Sequence, residues 1–328
     1  MGLGTMLRAC RATALALTSS AARASTAKIS GEDIKARKIA GLALACAVAL
    51  GVAQPASAGL KIDLVYIDKP PPFYVAGGGE LREIMQVAAE NWERALKTGN
   101  GNWKLKIEFG WDALRDPTFF AQEHLVGEGG NPSRMTHSCI IFNTALGFPK
   151  DIAGFFADPT PRDNSEFIDY TSYSISTDAG WLNAGRIFSE PTGDAINRID
   201  LLQLAMHEIG HALGLDYDYS GFNVQLPGTT GPLKVTPLRP YAGIDIFVNQ
   251  GPHISGKSLM SPNAEPGERR LISAIDALLI AQLSLFNRPD LSEPPLDTNG
   301  HGLGIPTVTV ASSSTCSGNV PATNSGPW

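Results

Sequence analysis

The chain has 328 residues, a formal net charge of −6 and a 43% hydrophobic content. That is enough to bury one substantial core, and it excludes the long, weakly hydrophobic composition of a disordered protein. An acidic balance is the wrong sign for a phosphate backbone, so nucleic acid is not an expected partner.

The N-terminal segment reads as removable. Lys35, Arg37 and Lys38 form a positive n-region, Ile39 to Ala53 an apolar h-region, and Ala56-Ser57-Ala58 an A-x-A cleavage site. Fifteen apolar residues are few for a bilayer, which favours a cleaved signal peptide (35–58) over an anchor. Residues 1–34 precede it and belong to no fold. The leader holds seven of the 26 Lys/Arg and two of the 32 Asp/Glu, so the mature chain from Gly59 keeps 19 basic and 30 acidic residues, or −11. This predicts a secreted, extracellular or periplasmic protein with no membrane contact after cleavage. Cys139 and Cys316 remain as an even pair in an oxidising destination, and an intrachain Cys139–Cys316 disulfide is expected.

Three domain segments follow: leader 1–58, a globular region 59–288, and a Pro/Gly/Ser-rich tail 289–328 with little to bury. Leu60 to Ile67 alternates and is β-rich, predicting a first strand. Pro70-Pro71-Pro72 and Gly77-Gly78-Gly79 punctuate it. Leu81, Ile84, Met85, Val87, Ala88, Trp92 and Leu96 then fall at helical spacing over 80–96. Trp103 to Phe109 is a second strand, so strand–helix–strand opens an α/β unit with a parallel pair. Met135 to Asn143 is a further strand. His124 and His137 near it match no ligand spacing and are expected to be structural or surface histidines.

Phe155 to Gly180 looks loop-rich. Asp158, Asp163, Asn164 and Glu166 could together offer oxygens to calcium, but no calcium-loop pattern fits, and a solvated turn cluster is the expectation. Asp194 is a candidate N-cap for the helix that follows.

That helix carries the chemistry. His207-Glu208-Ile209-Gly210-His211-Ala212-Leu213-Gly214 puts two imidazoles four residues apart, one turn above each other on one face. Both could bind one metal, and zinc suits neutral imidazole. Glu208 sits beside the water such a site would hold, where a carboxylate serves as general base. Leu201, Leu202, Leu204 and Ala205 make the helix apolar, and Gly214 stops it.

This stretch resembles the zinc helix of the metzincin metallopeptidases, closest in wording to the matrixins. Matrixins continue to a third histidine at the position of Tyr217, a residue whose phenol must first lose a proton of pKa about 10. Some forty residues later comes His253, seven positions before Met260 in Leu259-Met260-Ser261-Pro262, which looks like the metzincin methionine turn. Leishmanolysin likewise carries an insertion before its third histidine. The resemblance implies Tyr217 to Pro252 as an insertion and His253 as third ligand, with Tyr217, Asp216 and Asp218 as competing candidates. Met260 would pack beneath the ligands without binding. Leu271 to Phe286 is strongly apolar at helical spacing, like the metzincin C-terminal helix; Asp276 within it would need partners, and the amides of the methionine turn are candidates.

The implied fold is α+β (α/β in its first half): a metzincin-like zincin with a twisted mixed sheet, zinc helix, Met-turn and C-terminal helix. The edge strand that pairs with substrate in metzincins is assigned to 135–143. The implied function is a secreted zinc metalloendopeptidase, with one catalytic Zn2+ on His207, His211 and His253, Glu208 as base, and a protein or peptide substrate. The alternatives are a zincin with Tyr217 or an aspartate as third ligand, and a non-catalytic secreted module that keeps zinc for structure. No cysteine-bearing propeptide is visible between Ala58 and the first strand, so thiolate latency is not expected.

Overall fold

The computed structural model describes residues 59–96, 102–148, 150–228, 230–249, 251–287, 289–291, 308–311 and 316. The leader and its cleavage site lie outside these residues, as does most of the tail. The architecture is mixed α+β. Fourteen strands are described: β1 Leu60–Ile67, β2 Val75–Ala76, β3 Trp103–Asp112, β4 Ala121–Gly129, β5 Arg134–Asn143, β6 Phe155–Phe156, β7 Phe167–Thr177, β8 Gly180–Pro191, β9 Ile199–Asp200, β10 Gly231–Lys234, β11 Asp245–Asn249, β12 His253–Ile254, β13 Arg269–Leu271 and β14 Val308–Val310. The helices are α1 Leu81–Ala95, α2 Leu201–Ala212, α3 Ser220–Gln225 and α4 Ala274–Leu283, with one short 3-10 turn at Gly193–Ala195.

The main sheet runs β14-β1-β3-β5-β4. β1, β3, β5 and β14 are parallel, and β4 is antiparallel to β5. The parallel β1–β3 pair is the one read from the sequence. The edge assignment is corrected: 135–143 falls in β5, an interior strand, and the antiparallel edge strand is β4. The pattern hid β4 because its second half alternates weakly while its first four residues are all buried, including Gln122, Glu123 and His124. The tail also departs from its expectation, since Val308–Val310 adds a parallel strand beside β1. Cys316 is joined to Cys139 of β5, with the Cα atoms 5.8 Å apart.

α1 packs on one face of the sheet and against α2. Ile84, Met85, Val87, Ala88 and Trp92 are fully buried, as the helical spacing predicts. The Trp92 indole N–H donates to the Met206 carbonyl at 2.7 Å, so one large side chain fills the α1–α2 contact and also satisfies its own polar atom.

The 155–180 stretch is only partly loop. β7 forms a long hairpin with β8, although its residues are mostly exposed and polar, because β8 supplies the ladder partners. Asp158 is not solvated: it pairs with Arg269, which also binds Asp200 at 2.7 Å, all three side chains being buried. Asp200, not Asp194, caps α2, its carboxylate accepting from the Gln203 amide at 2.7 Å. Arg269 thereby fastens the start of α2 to β13 and to the 158–167 loop.

Candidate metal centre

Every residue of α2 is buried. Its sequence allows this because the apolar residues surround the helix, while its few polar groups find internal partners. Gly214, at φ +119, ends the helix in a conformation that suits glycine, and its N–H bonds the His211 carbonyl at 2.8 Å.

The insertion is folded rather than loose. Tyr217 to Pro252 contains α3, β10 and β11, and β12 pairs with β11 through Asn249 opposite His253. Its outer part docks on the C-terminal end of α4. There the Gln225 amide donates to the Gln282 and Leu283 carbonyls, both at 2.9 Å, and the Arg239 guanidinium donates to Ala281 and Phe286 at 3.0 and 2.7 Å. Ala281, Gln282 and Leu283 lie in the last turn of α4, where carbonyls lose their i+4 amide donors, and Phe286 follows the helix. The insertion is thus held at both ends, and β12 brings His253 back over α2.

His207, His211 and His253 meet there. Each offers a ring nitrogen, and these atoms lie within 4.8 Å of one another. No other group of three or more His, Cys, Asp or Glu side chains is that close among the described residues. Ring centroids are 4.6 Å apart for His207–His211, 5.3 Å for His207–His253 and 5.1 Å for His211–His253.

Two backbone carbonyls set the tautomers. His207 Nδ1 lies 2.9 Å from the Leu259 carbonyl and His211 Nδ1 2.7 Å from the Leu215 carbonyl. A carbonyl only accepts, so both Nδ1 atoms carry the proton and both Nε2 atoms present lone pairs. Those two Nε2 atoms stand 2.8 Å apart. Facing lone pairs at that distance repel, and a shared cation turns the same geometry into an attraction. All three histidines are held neutral. Burial pushes His207 well below the ordinary imidazole range, with His211 and His253 adding to it; burial pushes His211 down to about 4 and His253 well below its usual value. Neutral, oriented imidazoles are the form that binds zinc.

The floor of the site is the turn before α4. Met260 is fully buried under α2, and the Ile254 amide donates to the Met260 carbonyl at 2.8 Å. Asp276 holds this turn: its carboxylate accepts from the Leu259 and Met260 amides at 3.1 and 3.0 Å, and from the Ser273 amide at 2.9 Å. This is the partnership suggested for Asp276 from sequence. It also fixes the Leu259 carbonyl that orients His207.

Two of the three competing ligand candidates, Tyr217 and Asp216, are engaged elsewhere. The Tyr217 hydroxyl accepts from the Gly251 amide at 2.6 Å, tying the start of the insertion to its end two residues before His253. Asp216 accepts from the Asp218 amide at 2.9 Å and bonds Glu123 of β4. His137 lies 3.1 Å from Glu108, and His124 is buried on β4 opposite Cys139. Glu208 follows His207 on α2 and is 1% exposed. Sequence reasoning missed Glu123. Its signal, an acidic residue inside a weakly patterned strand, is indistinguishable from a solvated one without the partners.

Comparison with protein-family models, with curated proteins and with solved structures finds no match.

Proposed function

We propose that this chain is a secreted zinc endopeptidase of metzincin type, with His207, His211 and His253 as metal ligands and Glu208 as general base. The observation that carries the reading is the convergence of three neutral imidazoles, two of them oriented by carbonyls so that Nε2 faces inward, beside a buried glutamate on the same helix. Zinc held there would supply Lewis-acid polarisation of a scissile carbonyl and lower the pKa of an attacking water to about 7. Glu208 would take a proton from the attacking water and deliver it to the departing amine nitrogen. The buried surroundings keep the carboxylate's interactions strong by excluding solvent.

β4 supports the choice of a peptide as substrate. It is the last strand of the main sheet and packs against α2. An extended chain pairing with its edge by β-augmentation would lie beside the zinc helix. The Cys139–Cys316 bridge agrees with an oxidising, extracytoplasmic destination.

The test is Glu208→Gln. It should retain one zinc per chain while peptide hydrolysis falls by about 10² to 10⁴-fold, the usual share of general-base transfer. Near-normal turnover with stoichiometric zinc would overturn the mechanism.

A further inference from the structure

Behind the histidines lies a second group of titratable side chains that the proposed chemistry does not use. Glu123, on β4, is 2% exposed, and Asp216, in the segment after α2, is 5% exposed. Their carboxyl groups are hydrogen-bonded to each other. Ser138 of β5 donates to the second side of Glu123, and the Asp218 amide donates to Asp216. The charged groups that act most strongly on Glu123 are acidic: Asp216 and, from α2, Glu208. Asp218 adds a further negative charge beside Asp216. His124, next on β4, sits opposite Cys139 and so on the other face of the sheet.

A hydrogen bond between two carboxyl groups requires a proton on one of them, because two carboxylates have only acceptors. Glu123 is the natural holder: burial raises its pKa well above the ordinary range, and the negative charge of Asp216 adds to this. The location gives the bond its consequence. Asp216 directly follows Leu215, whose carbonyl orients His211.

We propose that Glu123 and Asp216 share one proton, and that this bond tethers the segment after α2 to the edge strand and so holds the Leu215 carbonyl against His211. Glu123 is then a positioning residue, and the metal centre carries a built-in upper pH limit. The proton stays on the pair above the pH at which an ordinary carboxyl releases it, because burial raises Glu123. As pH rises through the raised pKa of Glu123, two buried carboxylates face each other without a donor, the tether opens, and His211 loses its orienting acceptor. The direction is set by linkage: a carboxyl whose folded pKa is raised contributes stability that is lost as pH rises.

The inference rests on the metal reading for its effect on zinc, so its test includes a metal-free arm. In the full mature chain without zinc, the His211 Nδ1–H proton resonance should be protected at neutral pH and lost at alkaline pH. In Glu123→Gln it should persist at both, because the amide donates to Asp216 and has no proton to lose. The infrared band of a protonated carboxyl at neutral pH should be present in the wild type and missing in Glu123→Gln. With zinc, chelator competition should show wild-type affinity falling at alkaline pH and the Gln variant holding level. Glu123→Leu should bind about 10-fold more weakly at both, the usual effect of removing an outer partner of a ligand. A Gln variant that behaves like Leu, or a wild type with no protonated-carboxyl band, overturns the proposal. A chain that binds no zinc yet shows the band and the resonance behaviour overturns the metal reading and leaves the shared proton standing.

Discussion

The sulfur of Met260 occupies the space that a β-carbon on Gly210 would need. Gly210 lies between the two helix histidines, so its missing side chain lets the methionine turn press directly against α2. The ring of Trp92 closes the same spot, 3.2 Å from that β-carbon position. Gly210→Ala should therefore strain a packed contact, costing about 1–3 kcal/mol despite the higher helix propensity of alanine. Urea unfolding reads the cost. Adding Met260→Ala should recover part of it, so that the double variant is less destabilised than the sum of the two single ones, whereas simple additivity would show that the two side chains do not compete for this space.

Asp276 is the buried anchor of the same turn. Asp276→Ala leaves the Leu259, Met260 and Ser273 amides without their acceptor, at about 1–3 kcal/mol for each donor that stays buried and unpaired. Because the Leu259 carbonyl orients His207, zinc affinity should fall with stability, by about 10-fold. Thermal unfolding and chelator competition on one preparation check both. Unchanged zinc affinity in a clearly destabilised variant would separate the turn from the metal centre.

The third ligand can be decided by metal content. His253→Ala should lose zinc under mild chelation. Tyr217→Phe should keep one zinc per chain, with a modest fall in affinity from the lost Gly251 contact, since that hydrogen bond is worth about 1 kcal/mol. Asp218→Ala should bind zinc as the wild type does. Full zinc in His253→Ala together with its loss in Tyr217→Phe would move the site to the compact arrangement.

Export is testable without the metal. Secreted protein should begin at Gly59 on N-terminal sequencing, after the Ala56-Ser57-Ala58 site. Recovery in a membrane fraction with Lys35 to Ala58 retained would instead support an anchor.

What the sequence determined by itself is the local chemistry. The 3.6-residue period puts His207 and His211 on one face, the glycine at 214 ends their helix, and alternation marks β1 and β3. Each depends on neighbours a few positions apart, so it can be read from a string. What tertiary structure decided depends on distance across the chain. β4 became the edge strand because β5 pairs with β3 on its other side, a choice that the pattern of 121–129 does not encode. Asp200 took the cap from Asp194 because Arg269, nearly seventy residues on, compensates its buried charge. His253 reached the helix histidines because the insertion is pinned on α4 and by Tyr217. Glu123 acquired its role only when Asp216 was folded against it. A carboxyl in a sequence has no fixed protonation state; burial and the charge of a neighbour supply one, and both are properties of the folded chain.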